Sequence, residues 1–570
     1  MAEEVWMLQT KKADFKQIGA RFRIDPVTAR IIRNRGIEGE AAIDRYLNGT
    51  LDDLYDPMLL KDMERAVSIL CEAVDTGKKI RIVGDYDIDG VCSTYILLQA
   101  FERLGSDVDF EIPDRIKDGY GINESIIEQA HADGVEVILT CDNGISAFHQ
   151  VELAKKYGMM VVITDHHEVP LDGEKEKIPP ADAVIDPKQA DCPYPFPEIC
   201  GAVVAYKLVQ VLYARRGVPQ MEWLDLLEFA AIATVGDVMK LQDENRILVK
   251  YGLKKMAQTK NLGLRRLAEK NNLDLGAITA YHIGFVIGPC LNAGGRLKTA
   301  KEALALLRAQ SEEEAERLAE ELKELNDTRK DMTEQGTEAA KLQVESWYQK
   351  DKVLVVFLPE CHESLAGIIA GRLREYYQKP AIVLTRGEEA VKGSGRSIDE
   401  YHMFKKLTEV SDLLLKFGGH PLAAGLSLEE KNIDEFRRRL NENAGLTEED
   451  FKAKVWIDVP MPVGYVTERL VRELSCLEPF GQGNEKPLFA EKSLRIRASR
   501  VLGRNRNVVK MTLEETDGHA IEALYFGDGT AFEEERAGRR EIDVVYYPDI
   551  NEYNGRKTRQ AVIRRYKFRG

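Results

Sequence analysis

Basic residues are outnumbered in this 570-residue chain: 80 Lys and Arg stand against 95 Asp and Glu, a formal charge of −15. An acidic surface repels polyanions at long range, so a nucleic-acid enzyme is compatible with this composition only if base is concentrated locally. Cysteine is sparse. Eight scattered residues show no disulfide framework and no Cys-x-x-Cys pair, which excludes a cysteine-rich zinc site and suits a reducing cytoplasm. No apolar run approaches the ~20 residues that span a bilayer. Met1-Ala2-Glu3-Glu4-Val5-Trp6 carries acid where a secretory signal carries base. The expectation is a soluble cytoplasmic protein with no membrane partner, long enough for three or four domains.

Against this background, acid is concentrated in one place. Val83-Gly84-Asp85-Tyr86-Asp87-Ile88-Asp89-Gly90 sets three carboxylates at period two directly after an apolar run. Their mutual repulsion makes sense if divalent cations sit between them, because hard cations prefer oxygen ligands. The plain alternative is an acidic turn in solvent. Recurrence favours the first reading. Val135–Thr140 runs into Cys141-Asp142-Asn143-Gly144, and Met159–Thr164 runs into Asp165-His166-His167. Helical spacing over Ser93–Leu104 and Ala147–Tyr157 separates these apolar runs, the alternation of βαβ units around a parallel sheet. Ligands of such sheets bind beyond the carboxyl ends of the strands, so the acids and imidazoles should share one rim. Asp237 follows the alanine-rich run Phe229–Gly236, whose composition suits a buried helix better than a strand.

This set suits two-metal phosphoester hydrolysis, in which two divalent ions about 3.5–4 Å apart activate water and clamp the attacking and leaving oxygens. Mixed oxygen and nitrogen donors point to Mn²⁺ or Mg²⁺. The candidate ligands are Asp85, Asp87, Asp89, Asp142, His166 and Asp237, and His167 joins them as a catalytic candidate.

Further along, Ser311 to Glu314 reads as a capping box opening a charged helix that runs towards Trp347, with a possible break at Gly336. Lys352–Phe357 and Pro380–Leu384 read as strands of a second lobe. Gly393-Ser394-Gly395-Arg396 is a weak phosphate-loop pattern, with exposed backbone N–H groups and a forked guanidinium. Residues 172–197, polar and proline-rich, read as a surface excursion. Base concentrates at Lys492, Arg495, Arg497, Arg500, Arg504, Arg506 and Lys510, and again from Arg556 to Arg569. Tyr546, Tyr547, Tyr553, Tyr566 and Phe568 lie among or near the second stretch. Short alternating strands over Leu494–Phe526 suit a small barrel, and base interleaved with rings suits a single-strand groove. An ordinary barrel with core tyrosines is the alternative.

Asp165-His166-His167, with the Asp-x-Asp-x-Asp-Gly and Asp-Asn-Gly motifs, resembles the DHH phosphoesterase superfamily. Gly288-Pro289-Cys290-Leu291-Asn292-Ala293-Gly294-Gly295-Arg296-Leu297 resembles the glycine-rich signature of its RecJ branch. Gly393–Ser397 and Gly418-Gly419-His420 resemble the associated substrate domain, and Leu477–Asn484 resembles the entry to the RecJ oligonucleotide-binding domain. The resemblance spans roughly residue 55 to the C-terminus. It implies an α/β fold: a DHH-type parallel-sheet catalytic lobe and a smaller α/β second lobe joined by a long helix, followed by an oligonucleotide-binding β-barrel. The boundaries it suggests are an N-terminal extension over 1–55, a catalytic domain over 56–305, a connecting helix over 306–350, a substrate domain over 351–445 and a barrel domain over 446–570.

The activity so implied is 5′→3′ hydrolysis of single-stranded DNA to mononucleotides in repair and recombination. It needs two Mn²⁺ or Mg²⁺ ions, and a helicase and a single-strand-binding protein are candidate partners of a monomeric enzyme. By the same resemblance Arg115, Ser394 and Arg396 hold the 5′-terminal phosphate, Tyr120 and Arg296 contact substrate, and His420 touches the scissile or adjacent phosphate. The family usually carries arginine where this chain has Cys290. Two rivals share parts of the pattern. A small-molecule phosphodiesterase of the superfamily, acting on short oligonucleotides or other small phosphate esters, has no need of the last ~120 residues. A scaffold relative has no need of the acidic set.

Overall fold

The computed structural model describes residues 4–115, 121–553 and 555–569. The chain forms two compact units. One comprises Tyr55–Met239 and Leu248–Ala453, and the other Val5–Leu54, Lys240–Ile247 and Lys454–Gly570.

The first unit opens on a five-stranded sheet of β1 (Ile80–Val83), β2 (Val108–Glu111), β3 (Val137–Cys141), β4 (Met160–Thr164) and β5 (Ala183–Ile185). The order is β2-β1-β3-β4-β5 and every pair is parallel. Helices cover both faces of such a sheet, which is why β1 and β3 are buried at every position and read as unbroken apolar runs. β5 corrects the sequence reading of 172–197 as a surface excursion, since its three residues are buried in the sheet. So short a strand, amid proline and charge, gives no periodic signal.

Three helices bring the site together: α1 (Ile88–Arg103), α2 (Gly201–Arg216) and α3 (Leu227–Gly236). All three are apolar around most of their circumference, the pattern of a helix enclosed by others. The Tyr95 and Phe229 rings meet at 4.3 Å between α1 and α3. The glycine-rich segment forms α4 (Gly288–Leu297). A Cβ on Gly295 would lie 2.3 Å from the Tyr86 carbonyl oxygen, so only glycine lets α4 press against the acidic loop.

The long helix α5 (Glu312–Gln343) is capped by Ser311, whose Oγ accepts from the Glu314 N–H at 3.1 Å. It passes Gly336 without a break, because that glycine makes room for Ile369: a Cβ there would stand 2.6 Å from Ile369 Cδ1. The second lobe is a sheet of β6 (Leu354–Phe357), β7 (Ala381–Arg386), β8 (Val391–Arg396), β9 (Leu414–Gly419) and β10 (Ala423–Leu428), in the order β9-β10-β8-β7-β6. Helix α6 (Glu363–Tyr377) packs on one face over Leu354, Val356, Ala381 and Val383.

In the second unit, β11 (Val459–Pro460), β12 (Phe489–Leu502), β13 (Val508–Glu514), β14 (Ala520–Phe526), β15 (Glu541–Tyr553) and β16 (Arg556–Phe568) run in the order β11-β12-β13-β14-β16-β15. β12 pairs with both β13 and β15, which closes the last five strands into a barrel. The long β12 manages this by shifting register between Glu491 and Leu494, the bend that a bulge supplies. Helices over 15–48 pack on the same core. The Arg246 guanidinium, buried there, donates to the carbonyls of Tyr46, Leu477 and Cys476. Two tyrosines proposed as stacking groups are core residues instead. Tyr546 is fully buried and donates its hydroxyl to Met461 O at 2.8 Å, and Tyr547 is buried beside it. Tyr566 and Phe568 pack with Phe532 in a ring cluster. Much of the expected base is locally paired, as in Arg497 with Glu514, Lys510 with Glu522 and Arg569 with Asp543.

Candidate metal centre and phosphate seat

The parallel sheet reverses its winding between β1 and β3, and ligands bind at such a switch point. Asp85 follows β1 and Asp142 follows β3, so both stand there. Asp142 takes a left-handed backbone, φ 61°. The N-terminus of α2 presses against it: a Cβ on Gly201 would lie 2.7 Å from Asp142 Cβ. Asp87 caps α1, accepting from the N–H groups of Asp89 and Gly90 at 2.9 and 3.1 Å. Asp89, in the first turn, is buried and accepts from the N–H groups of Gly201 and Ala202 at 2.7 Å each. A helix N-terminus thereby holds its charge in place. Asp237 stands at the C-terminal end of α3, the helix that the alanine-rich run suggests.

His166 and His167 follow β4. His166 Nε2 lies 3.0 Å from Asp142 Oδ1, 3.4 Å from Asp89 Oδ2 and 3.9 Å from Asp237 Oδ2. Asp165 points the other way. Its Oδ1 accepts from His167 Nδ1 at 2.7 Å and from the His166 N–H at 2.7 Å, while Oδ2 accepts from the Ile145 N–H. All seven metal or catalytic candidates thus meet at one rim. Their donor atoms form interlocking groups whose members lie within 4.8 Å of one another: Asp85–Asp87–Asp142, Asp89–His166–Asp237 and Asp142–His166–His167.

The electrostatics fit a cation site. Burial and the neighbouring Asp87 push Asp85 up to about 8, and burial with Asp89 and Asp87 pushes Asp237 up to about 8. Burial and Asp89 likewise raise Asp87 and Asp142. Carboxylates crowded this closely oppose one another's ionisation, and divalent cations reverse that penalty. Oxygen donors with one buried imidazole match Mn²⁺ or Mg²⁺. The two histidines diverge. Burial holds His166 below its ordinary value, whereas for His167 burial is outweighed by the hydrogen bond and charge of Asp165 together with the charges of Asp89 and Asp237, which lift it to about 9. Asp186, at the end of β5, is a residue the sequence reading missed: burial and Asp165 push it up to about 7, and its Oδ2 has no hydrogen-bond partner among the described residues.

Two cavities adjoin the acids. The first, ≈ 280 Å³, is walled by Asp85, Asp87, Asp237, Asn292, Arg115 and Arg296. The second, ≈ 250 Å³, takes in Ser364, Lys392 and Ser394, and shares Tyr86 and Arg115 with the first. The Arg115 guanidinium lies over the Tyr86 ring at 4.8 Å. Arg396 Nη1 donates to Ser394 Oγ at 3.1 Å. Gly367 permits this, since a Cβ there would meet both side chains at 2.9 Å. Arg296 donates to Ser364 O at 3.0 Å, and burial with the nearby Arg115 and Arg329 lowers its pKa to about 10. Arg396 lines neither cavity, but its guanidinium stands near those of Arg115 and Arg296, and this cationic cluster, with Ser394 and beside Glu363, makes a seat for an anion. Tyr120 lies outside the described residues. His420 is exposed at the end of β9 and lines neither cavity. Cys290 is buried against α5, where its sulfur accepts from Asn326 Nδ2 at 3.3 Å, so Arg296, not Cys290, faces the cavity.

The model of the DHH family N-terminal domain matches residues 79–234, that of the DHHA1 domain 350–445 and that of the RecJ OB domain 457–565. The chain is 36% identical to the single-stranded-DNA-specific exonuclease RecJ of Bacillus subtilis over 98% of this chain and 70% of that one. The chain belongs to the RecJ family. RecJ of Escherichia coli is 34% identical over 95% of each chain. The fold also matches the crystal structure of RecJ from Thermus thermophilus in complex with Mn²⁺, with a TM-score of 0.83 and 28% identity over 99% of this chain and 80% of that one. No helix among the described residues is long and apolar enough to cross a membrane.

Proposed function

We propose that this chain is a metal-dependent 5′→3′ exonuclease that hydrolyses single-stranded DNA to mononucleotides in DNA repair and recombination. One observation carries the reading: the anion seat at Arg115 and Ser394 shares a wall with Asp85, Asp87 and Asp237. A terminal phosphate held in the seat puts the next phosphodiester over the acids, one nucleotide in from the end.

Bound among Asp85, Asp87, Asp89, Asp142, His166 and Asp237, two Mn²⁺ or Mg²⁺ ions would supply a water of lowered pKa and neutralise charge on the phosphate. The protein's own groups set the geometry. The α2 N-terminus fixes the Asp89 carboxylate, and His166 presents a neutral imidazole between Asp89 and Asp142. Asp165 holds the Nδ1 proton of His167 and leaves Nε2 as the face that can donate to a phosphate or leaving oxygen. Ser394, Arg396 and Arg115 fork onto the terminal phosphate and so set the direction of travel. Tyr120 and His420 complete the substrate contacts in this reading. A cytoplasmic location and cooperation with a helicase and a single-strand-binding protein belong to the same proposal.

The test is to strip the protein with EDTA, restore Mn²⁺, and offer single-stranded and duplex DNA of one sequence. The reading requires mononucleotides from the single strand alone, and only after Mn²⁺ returns. Equal digestion of the duplex contradicts it.

A further inference from the structure

The phosphate seat is not closed behind the terminal phosphate. On β8, side-chain alternation puts Lys392, Ser394 and Arg396 on one face of the second sheet. In register with them, Ser394 pairs with Gly425 and Gly425 with Gly418, while Lys392 pairs with Ser427 and Ser427 with Lys416. Two rows therefore run from the seat across β10 to β9. One row is Ser394, Gly425 and Gly418, a floor almost without side chains. A Cβ on Gly418 or Gly425 would meet nothing within 4 Å, so the floor is open to a ligand. The other row ends in a lysine on each side. A third cavity, ≈ 370 Å³, is lined by Lys392, Lys416, Gly418, Gly425 and Ser427 with Phe417 and Leu426 at its side, and it shares Lys392, Gly425 and Leu426 with the cavity of Ser394.

The charges along this floor select the occupant. Lys392 lies at 2.9 Å from Glu363, which leaves it tethered at the edge of the seat. Lys416 is exposed and has no ion pair among the described residues. Neighbouring strands stand about 4.8 Å apart, so the two lysines rise from points roughly 10 Å apart, and their flexible stems can converge over the glycine floor. A base would need a free ring to stack on, and Phe417, which borders the cavity, packs against Phe404 at 5.7 Å and against the core of the lobe. Further phosphates need cations and an unobstructed path.

We propose that this groove takes a 5′-terminal polyphosphate. The α-phosphate would lie at Ser394 and Arg396, and the β- and γ-phosphates at Lys392 and Lys416. The inference rests on the 5′-end reading above. The chemistry is unchanged by the longer end. Water adds to the phosphorus between the first and second nucleotides, the P–O3′ bond breaks, and O3′ leaves with a proton. The first product is then a nucleoside 5′-triphosphate, and the remaining strand carries a 5′-monophosphate.

The experiment uses one oligodeoxynucleotide with a 5′-triphosphate, a 5′-monophosphate or a 5′-hydroxyl, digested in Mn²⁺ by the intact protein and by Lys416→Glu and Lys416→Arg variants. Wild type should degrade the triphosphate strand with a KM within about threefold of the monophosphate strand, and release nucleoside triphosphate first. Lys416→Glu should raise KM for the triphosphate strand about tenfold and leave the monophosphate strand unchanged, and Lys416→Arg should behave as wild type. Wild type that degrades monophosphate strands but stalls on the triphosphate overturns the inference and spares the exonuclease reading. An equal effect of Lys416→Glu on both ends also overturns it. Failure to degrade any strand overturns both.

Discussion

Asp165 Oδ1 lies 2.7 Å from His167 Nδ1, and the same oxygen accepts from the backbone N–H of both His166 and His167. One buried carboxylate thus fixes the ring orientation of one imidazole and the chain direction of both. Although burial works against its ionisation, the hydrogen bond and charge of His167 keep Asp165 below the usual carboxylate range. Asp165→Asn should leave the fold intact and lower kcat by roughly 10–100-fold, the range for losing the partner of a site histidine. Steady-state kinetics across a Mn²⁺ titration measures this, and wild-type kcat at saturating Mn²⁺ counts against the assignment.

Asp142 belongs to two of the three donor groups, so its loss should be felt in chemistry more than in strand binding. Asp142→Ala should abolish hydrolysis in Mn²⁺ while single-strand affinity, read by fluorescence anisotropy, stays within about threefold. Turnover like that of wild type contradicts the role given to it.

Arg396 donates to Ser394, which lines the anion seat. Arg396→Ala should erase the preference for 5′-phosphorylated over 5′-hydroxyl strands, at a cost of about 2 kcal/mol for a charge-assisted hydrogen bond. The KM ratio of the two strands is the measurement. An equal loss on both strands places the terminal phosphate elsewhere.

Glu228 is a buried carboxylate away from the acidic rim. Its Oε1 accepts from Thr259 Oγ1 at 2.7 Å, its Oε2 has no hydrogen-bond partner among the described residues, and burial pushes it up to about 7. Below the unfolded value near 4.5, both states hold the proton and the group is neutral to stability. As pH rises towards 7 the unfolded chain ionises first, so folding loses stability, and above 7 the folded state bears the whole burden. Glu228→Gln should therefore raise the Tm at pH 8 by a few degrees, on the order of 1–3 kcal/mol, and make little difference at pH 4. Scanning calorimetry at the two pH values checks both the sign and the window.

The rim of the first lobe was legible in sequence because each candidate ligand follows an apolar strand or caps a helix, as with Asp85 after β1, Asp142 after β3 and Asp87 before α1. Asp186 obeys the same rule. It ends Ala183-Val184-Ile185, yet three residues between prolines and charges carry no periodicity, so strand and carboxylate were both missed. The phosphate seat is of another kind. Arg115, Arg296 and Ser394 come from distant parts of the chain, and no local spacing brings them together; only the resemblance suggested two of them as partners. In the barrel, alternation identified strands but not which face turns inward. Tyr546 and Tyr547, adjacent in sequence, are both buried because β15 shifts register between Val545 and Tyr546 in its pairing with β16. That irregularity is a tertiary event, invisible to a period-two pattern.

The central claim is that acids and imidazoles at the β1–β3 switch point, beside a seat for a terminal phosphate, degrade single strands from the 5′ end. The most direct measurement follows one strand labelled at its 5′ end and the same strand labelled at its 3′ end, in Mn²⁺ and in EDTA. The account predicts that the 5′ label leaves first, as a mononucleotide, that the 3′ label is released only as the strand is exhausted, and that EDTA stops both. Release of the 3′ label first, or digestion that persists in EDTA, contradicts it.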